Sequence, residues 1–365
     1  MEPEHYSSLM PIVPLYGHGE LRSRLADSIG RGSLPSSLLF QGRRGVGKQR
    51  LALWLGQRLL CQASSAPCGT CQSCRFAQQL THPDLHWYFP RPRLKDTDPE
   101  LDDVREDYAE ARAERASENG LYAAPSGSEG IYIATVRAIV QQAVLSPAIG
   151  KRKVFIIGDA ERMVPQEGSE QAANAFLKLL EEPPADTTIV LTSSEPGALL
   201  PTIRSRVVSI RVPLVAEKDV RAFLSDDLVA LRLAGDETLP ANVAERVAFS
   251  GGAPGRLLAG GAWAKALENA RRMLDAATGR PDARYEAAWA QASTKARGSF
   301  ADTLEALTIA LHERARTSAI KGDGSALGSS RAIAAVEVAK ERIDGNASPQ
   351  LITVNLIREL AGLLA

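Results

Sequence analysis

Eight consecutive residues carry the clearest chemistry in the chain. Gly42-Arg43-Arg44-Gly45-Val46-Gly47-Lys48-Gln49 matches the G-x-x-x-x-G-K part of a phosphate-binding loop. Gly42, Gly45 and Gly47 let backbone N–H groups curl around phosphate oxygens, a following helix adds partial positive charge at its N-terminus, and Lys48 can reach terminal phosphates. Such loops ordinarily end in Ser or Thr, whose hydroxyl ligates magnesium. Gln49 offers an amide instead. The second magnesium-holding element should be an acid at the end of a buried strand. The apolar run before Gly158-Asp159 is that strand, and an active ATPase would usually show two successive acids there. Binding of ATP or ADP is compatible with the backbone cradle and Lys48, whereas efficient hydrolysis is not expected.

A second constellation is formed by Cys61, Cys68, Cys71 and Cys74, the chain's four cysteines, which fall within fourteen residues. Two C-x-x-C steps share Cys71, and Cys61 at the end of a predicted helix can supply the fourth thiolate of a tetrahedral Zn2+ site. Ala66-Pro67 and Gly69-Thr70 provide the tight loop between them. A compact ferredoxin-type cluster would need a cysteine shortly after Cys74, where Ala77 and Gln78 stand. Free thiols are the plainer alternative. With four ligands and no open position, the zinc would be structural. His82 and His86 lie nearby but read as packing or surface residues.

These residues need a scaffold. Leu38-Leu39-Phe40 precedes the glycine loop and an apolar helical stretch from Leu51 to Leu60 follows it, giving strand, loop, helix. Further apolar runs occur at Val154–Ile157, Ile189–Leu191 and Val207–Val212, separated by helical segments, which predicts a parallel sheet with helices on both faces. Ala172-Ala173, Phe176-Leu177 and Leu180 recur at helical spacing until Pro183-Pro184 stop the helix. Residues 91–130 break the pattern: Asp96 to Glu118 holds ten acidic and three basic residues, and Ala123 to Ser128 has linker composition. This region reads as a mobile, partly helical insertion with a solvated charged face. After about Pro213 the sequence is Ala-, Leu- and Arg-rich with helical periodicity, broken at Gly322-Asp323-Gly324-Ser325.

The 365 residues suit two or three domains, and 44% hydrophobic against 24% charged residues is the balance of a globular protein. With 43 basic and 43 acidic side chains the net charge is zero, so no bulk positive field holds nucleic acid or anionic lipid unaided. The first twenty residues lack the basic start and apolar run of a secretory signal, and no apolar run is long enough for a membrane span. A cytoplasmic location is expected, where cysteines are read first as metal ligands or free thiols.

Together these elements resemble the bacterial clamp-loader branch of the AAA+ ATPases, from about Pro14 to Leu258. The resemblance rests on the phosphate loop, the cysteine module directly after its helix, Thr81-His82-Pro83-Asp84, and the run from Ala172 to Pro184. Thr202-Ile203-Arg204-Ser205-Arg206-Val207 and Gly252-Ala253-Pro254-Gly255-Arg256 complete it. It implies an α/β P-loop AAA+ module over residues 1–212, carrying the zinc insertion at 61–74 and the charged insertion at 91–130. A small helical lid at 213–262 and an all-α collar for oligomerisation at 263–365 would follow.

By the same resemblance, Arg206 matches an arginine inserted into a neighbouring subunit's ATP site, with Val207 in place of the motif's usual Cys. Ser193, or equally Thr192, matches the first sensor, and Arg256 the second. The implied setting is a heteropentamer with motor subunits and a delta subunit, which opens the sliding clamp and places it on primed DNA in replication. Gln49 and Gly158 favour a non-hydrolysing stator within that ring over an active motor ATPase.

Overall fold

The computed structural model describes residues 11–96, 99–122, 129–163, 170–289, 297–322, 325–344 and 348–364. Residues 123–128, and Asp323 and Gly324 of the second break, lie outside them. The chain divides into two compact units: residues up to Gly235 with Ala241–Leu258, and Asp236–Pro240 with the residues from Ala259 onward.

The first unit is built on five strands: β1 (Ser37–Gln41), β2 (Leu85–Tyr88), β3 (Lys153–Ile157), β4 (Thr187–Ser193) and β5 (Val208–Arg211). All pair in parallel, in the order β2-β3-β4-β1-β5. The uninterrupted apolar runs are the central strands: every residue of β3 and β4 is buried, because helices cover both faces of such a sheet. Leu39 pairs with Leu191 and Ser209, and Ile157 with Tyr88 and Leu191, so the strands end together on one side. Ligands of parallel α/β sheets bind beyond the carboxyl ends of the strands. Gly42, Gly158-Asp159 and Ser194 all stand there.

Helices α1 (Gly19–Gly30), α2 (Lys48–Leu60), α3 (Gln72–Gln78), α4 (Leu101–Ser117), α5 (Ile133–Val144), α6 (Glu170–Glu181) and α7 (Pro201–Arg204) alternate with the strands. The short helices α8 (Glu217–Leu224), α9 (Asp227–Arg232), α10 (Val243–Ser250) and α11 (Gly255–Leu258) follow β5 and belong to the same compact unit.

The charged insertion is partly helical, as its sequence suggests. It folds into the seventeen-residue helix α4, with Val104, Tyr108, Ala111 and Ala116 buried, packed on β2 and α5. The Tyr108 hydroxyl donates to the carbonyl of Phe89 at 2.7 Å. Arg91 forms a two-pronged ion pair with Asp107 at 2.8 and 3.1 Å. Most of the acids of α4 lie on its exposed side, the solvated face that the composition suggests.

The second unit is helical: α12 (Gly260–Thr278), α13 (Pro281–Trp289), α14 (Arg297–Lys321), α15 (Ala326–Asp344) and α16 (Pro349–Leu364). Phe300, Leu304, Leu307 and Leu311 recur at helical spacing and are fully buried against α12 and α15. Among the described residues, no helix is long and apolar enough to cross a membrane.

Candidate functional site

The phosphate loop joins β1 to α2. Gly47, at φ 95°, caps α2 in a left-handed conformation that glycine adopts without strain. Lys48 is 5% exposed, and its Nζ donates to the carbonyls of Gly42 (2.9 Å) and Arg43 (3.0 Å) and to Ser194 Oγ (2.8 Å). The N-terminus of α11 meets the loop directly. Gly255 N–H donates to the Gly45 carbonyl at 2.9 Å, and a Cβ on Gly45 would stand 3.0 Å from the Arg256 nitrogen. Arg256, 4% exposed, turns its Nη1 to the Ser250 carbonyl at 3.0 Å.

Gln49 occupies the position from which a hydroxyl would hold magnesium. Its Nε2 donates to Asp159 Oδ2 at 3.0 Å. Its Oε1 accepts from Trp87 Nε1 at 3.0 Å and from the Tyr122 hydroxyl at 3.3 Å. A Cβ on Gly158 would lie 2.4 Å from Gln49 Oε1, so the amide fills the space of a side chain at 158. Both lone pairs of Oε1 are in use, Nε2 is a donor, and residue 158 has no ligand atom. The residues present therefore do not fit a magnesium ion.

Around this amide lies a cage whose cation comes from α4. The Arg115 guanidinium sits 4.5 Å from the Trp87 ring centre, 3.8 Å from Tyr122 and 3.2 Å from Phe89. Burial pushes its pKa down, opposed in part by the negative charge of Asp159. Beside it, burial and then the charge of Asp159 raise the Glu161 carboxyl to about 7. Glu161 Oε1 accepts from Ser194 N–H at 3.0 Å, and Oε2 is shut off from solvent with no partner among the described residues.

The four cysteines converge as their spacing requires. Their sulfurs all lie within 4.8 Å of one another, with Cys68–Cys74 at 4.0 Å and Cys61–Cys71 at 3.9 Å. Zn–S bonds of about 2.3 Å in a tetrahedron place sulfurs about 3.8 Å apart, so the set could hold a metal such as zinc. Backbone N–H groups of Cys68, Cys71 and Cys74 approach the sulfurs of Cys61, Cys68 and Cys71 at 3.4 Å each, the contacts that stabilise thiolates. Hydrogen bonding from Cys71 and Thr70 pulls the Cys68 thiol down to about 6, whereas burial pushes Cys74 up to about 12. A bound cation would favour thiolate at both.

A family model described as DNA polymerase III, delta subunit, matches residues 17–215, more than half of the chain. The chain belongs to this family. The DNA polymerase III subunit delta' of Pseudomonas aeruginosa is 34% identical over 62% of this chain and 55% of its own length. That of Bacillus subtilis is 28% identical over 62% and 57%, and the Salmonella typhimurium tau subunit is 28% identical over 56% and 26%. The chain spans about half the length of the delta' relatives it matches. A Thermotoga maritima DNA polymerase III gamma subunit-related protein of known structure aligns over 93% of this chain and 99% of its own, at 16% identity and a TM-score of 0.40.

In this delta-family chain, the expected residues fall into separate groups. Gly42, Gly45, Gly47, Lys48, Gln49, Asp159 and Arg256 gather at the loop end of the sheet, while the cysteine module stands apart from them. Thr192 Oγ1 accepts from Asp159 N–H at 3.1 Å, and Ser193 Oγ accepts from Glu195 N–H at 3.1 Å. Ser194, which sequence reasoning passed over, is the residue that meets Lys48. Arg206 lies on another face, paired with Glu181 at 3.0 Å. Thr81-His82-Pro83-Asp84 is a structural turn. Burial pushes the Asp84 carboxyl up, but N–H groups of Ala148, Ile149 and Gly150 outweigh it and hold its pKa below the usual value. Trp87, Arg115 and Tyr122 of the Gln49 cage were missed because β2, α4 and the segment after α4 bring them from positions distant from Gln49 in the sequence.

Proposed function

We propose that this chain is the delta-prime subunit of a bacterial DNA polymerase III clamp loader, working as a stator in the loading of the sliding clamp onto primed DNA. In this reading it hydrolyses no ATP. It joins motor subunits and a delta subunit in a heteropentamer, with residues 213–262 as lid and 263–365 as collar, and presents Arg206 to a neighbour's ATP site. Zinc held by Cys61, Cys68, Cys71 and Cys74 would tie the loop after α2 and carry no chemistry.

The observation that carries the reading is the bonding of Gln49. An amide bound to Asp159, Trp87 and Tyr122, in the space of a residue-158 side chain, leaves no ligand pair for the magnesium that phosphoryl transfer requires. The direct bond between Gly255 and Gly45 supports a lid already seated on the loop, suited to a rigid partner. On the Arg206 face, Leu200 and Val208 are each 50% exposed, and β5 is an edge strand, features that a neighbouring subunit would cover. The rival reading, an active motor resembling the tau relatives, is disfavoured by the same Gln49 network.

Reconstitution with motor and delta subunits tests the proposal. The Arg206→Ala variant is expected to assemble normally and to lower the ATPase rate of the complex by ~10-fold or more, given what trans-acting arginines contribute. Failure of the wild-type chain to enter the complex would overturn the reading.

A further inference from the structure

Arg206 is not a loose side chain. It lies in the turn between α7 and β5, and two acceptors hold its guanidinium. Nε donates to Glu181 Oε2 at 3.0 Å, and Nη1 donates to the Thr202 carbonyl at 3.0 Å. Glu181 is the last residue of α6, just before Pro183-Pro184. An acid there lies at the negative end of the helix dipole, where it weakens the helix. Its placement is accounted for by the cation it meets, twenty-five residues further along the chain.

A guanidinium carries five N–H donors in one rigid plane, so fixing one edge orients the other. Glu181 takes the Nε edge. Nε shares that edge with one Nη2 hydrogen; the other Nη2 N–H, on the terminal edge, forms no hydrogen bond among the described residues, which leaves it for an acceptor from outside the chain. The Arg206 side chain is 30% exposed and that of Glu181 58%, so the pair is reachable from solvent.

We infer that Glu181 is the positioning residue for Arg206, holding its guanidinium so that the outward Nη2 N–H of the terminal edge is presented to a phosphate oxygen of a neighbouring subunit's nucleotide. This rests on the reading of Arg206 as a trans-acting arginine. Carboxylate and phosphate take different N–H groups, so Glu181 does not compete with the phosphate, and its loss slows the reaction. A solvent-exposed ion pair biases a side chain only a few-fold. The effect therefore falls well short of losing the arginine.

The test uses the reconstituted complex with wild-type chain, Glu181→Ala, Glu181→Gln, Arg206→Ala and the double alanine variant, each first checked for unchanged thermal unfolding and assembly. Glu181→Ala is expected to lower kcat for ATP hydrolysis by roughly three- to fivefold with KM unchanged. Glu181→Gln, which keeps an acceptor oxygen, recovers most of that loss, and the double variant is no slower than Arg206→Ala alone. An unchanged or faster Glu181→Ala complex overturns the inference, as does a double variant whose losses multiply. If Arg206→Ala is itself silent, the reading of Arg206 fails and this inference with it. If Arg206→Ala slows hydrolysis while Glu181→Ala does not, the inference alone fails.

Discussion

The Gln49 side chain fills the volume that a side chain on residue 158 would need: a Cβ at Gly158 would lie 2.4 Å from its Oε1 and 2.5 Å from its Cδ. Two departures from a magnesium-binding P-loop, 109 residues apart in sequence, are thus one packing unit. Gly158→Asp alone should force the amide aside and cost about 1–3 kcal/mol by overpacking. Gln49→Thr alone strips the buried Trp87 Nε1 of its acceptor and should cost about 1–3 kcal/mol. Combined, they should cost clearly less than the sum, because threonine vacates the space that aspartate enters. Denaturant unfolding of the four proteins measures this coupling, and strictly additive costs would contradict it.

Arg115 ties α4 to the edge of the sheet through three aromatic rings. Arg115→Ala should destabilise the first unit by about 2 kcal/mol or more, from lost cation–π attraction and lost packing of the aliphatic stem. Arg115→Lys should restore little, since an ammonium cannot stack as a planar guanidinium does. Tryptophan fluorescence during urea unfolding reads both, and full rescue by lysine would refute the stacking role.

Stability should depend on pH in opposite senses at two groups. The His86 ring stacks on Phe155 at 4.6 Å, with Nε2 buried and unpartnered. Burial first, then the charge of Arg112, pushes its pKa from 6.5 to about 4. Between these values the unfolded chain binds the extra proton. The stability from keeping His86 neutral is therefore complete above 6.5 and lost as pH falls toward 4, an upper bound of about 3 kcal/mol. Glu161, raised to about 7, binds its proton more tightly when folded, so its ionisation removes stability as pH rises through 7. Unfolding free energies measured across this range should show a smaller acid-side slope in His86→Asn and higher stability than wild type above pH 7 in Glu161→Gln. Parallel curves for all three proteins would exclude both assignments.

For the cysteine module, metal analysis of purified protein should find about one equivalent of zinc, lost when Cys71 and Cys74 are both replaced by serine. Limited proteolysis of that variant should open the loop between α2 and α3 while sparing the sheet. A metal-free wild-type protein would remove the site.

Much of this was legible in the sequence where the signal is local. The phosphate loop, the cysteine spacing and the apolar runs of β1, β3, β4 and β5 each lie within a few residues, and the parallel sheet follows from them. β2 was missed: Leu85–Tyr88 is a four-residue edge strand containing a histidine, too short to stand out. The packing of α4 was hidden because its inward stripe of Val104, Tyr108, Ala111 and Arg115 includes an alanine and an arginine among acids, which weakens its amphipathic pattern. The pairing of Glu181 with Arg206, and the contacts of Gln49 with Gly158, Trp87 and Tyr122, depend on strand order. No spacing rule reports that order.

In the proposed reading, this chain carries a P-loop without the chemistry of one. ATP hydrolysis by the purified chain alone, with magnesium present, measured beside Lys48→Ala, tests it most directly. Equal rates at the background level are expected, because the Gln49 amide is engaged by Asp159, Trp87 and Tyr122 and residue 158 carries no ligand atom. A wild-type rate clearly above background and abolished in Lys48→Ala would contradict it.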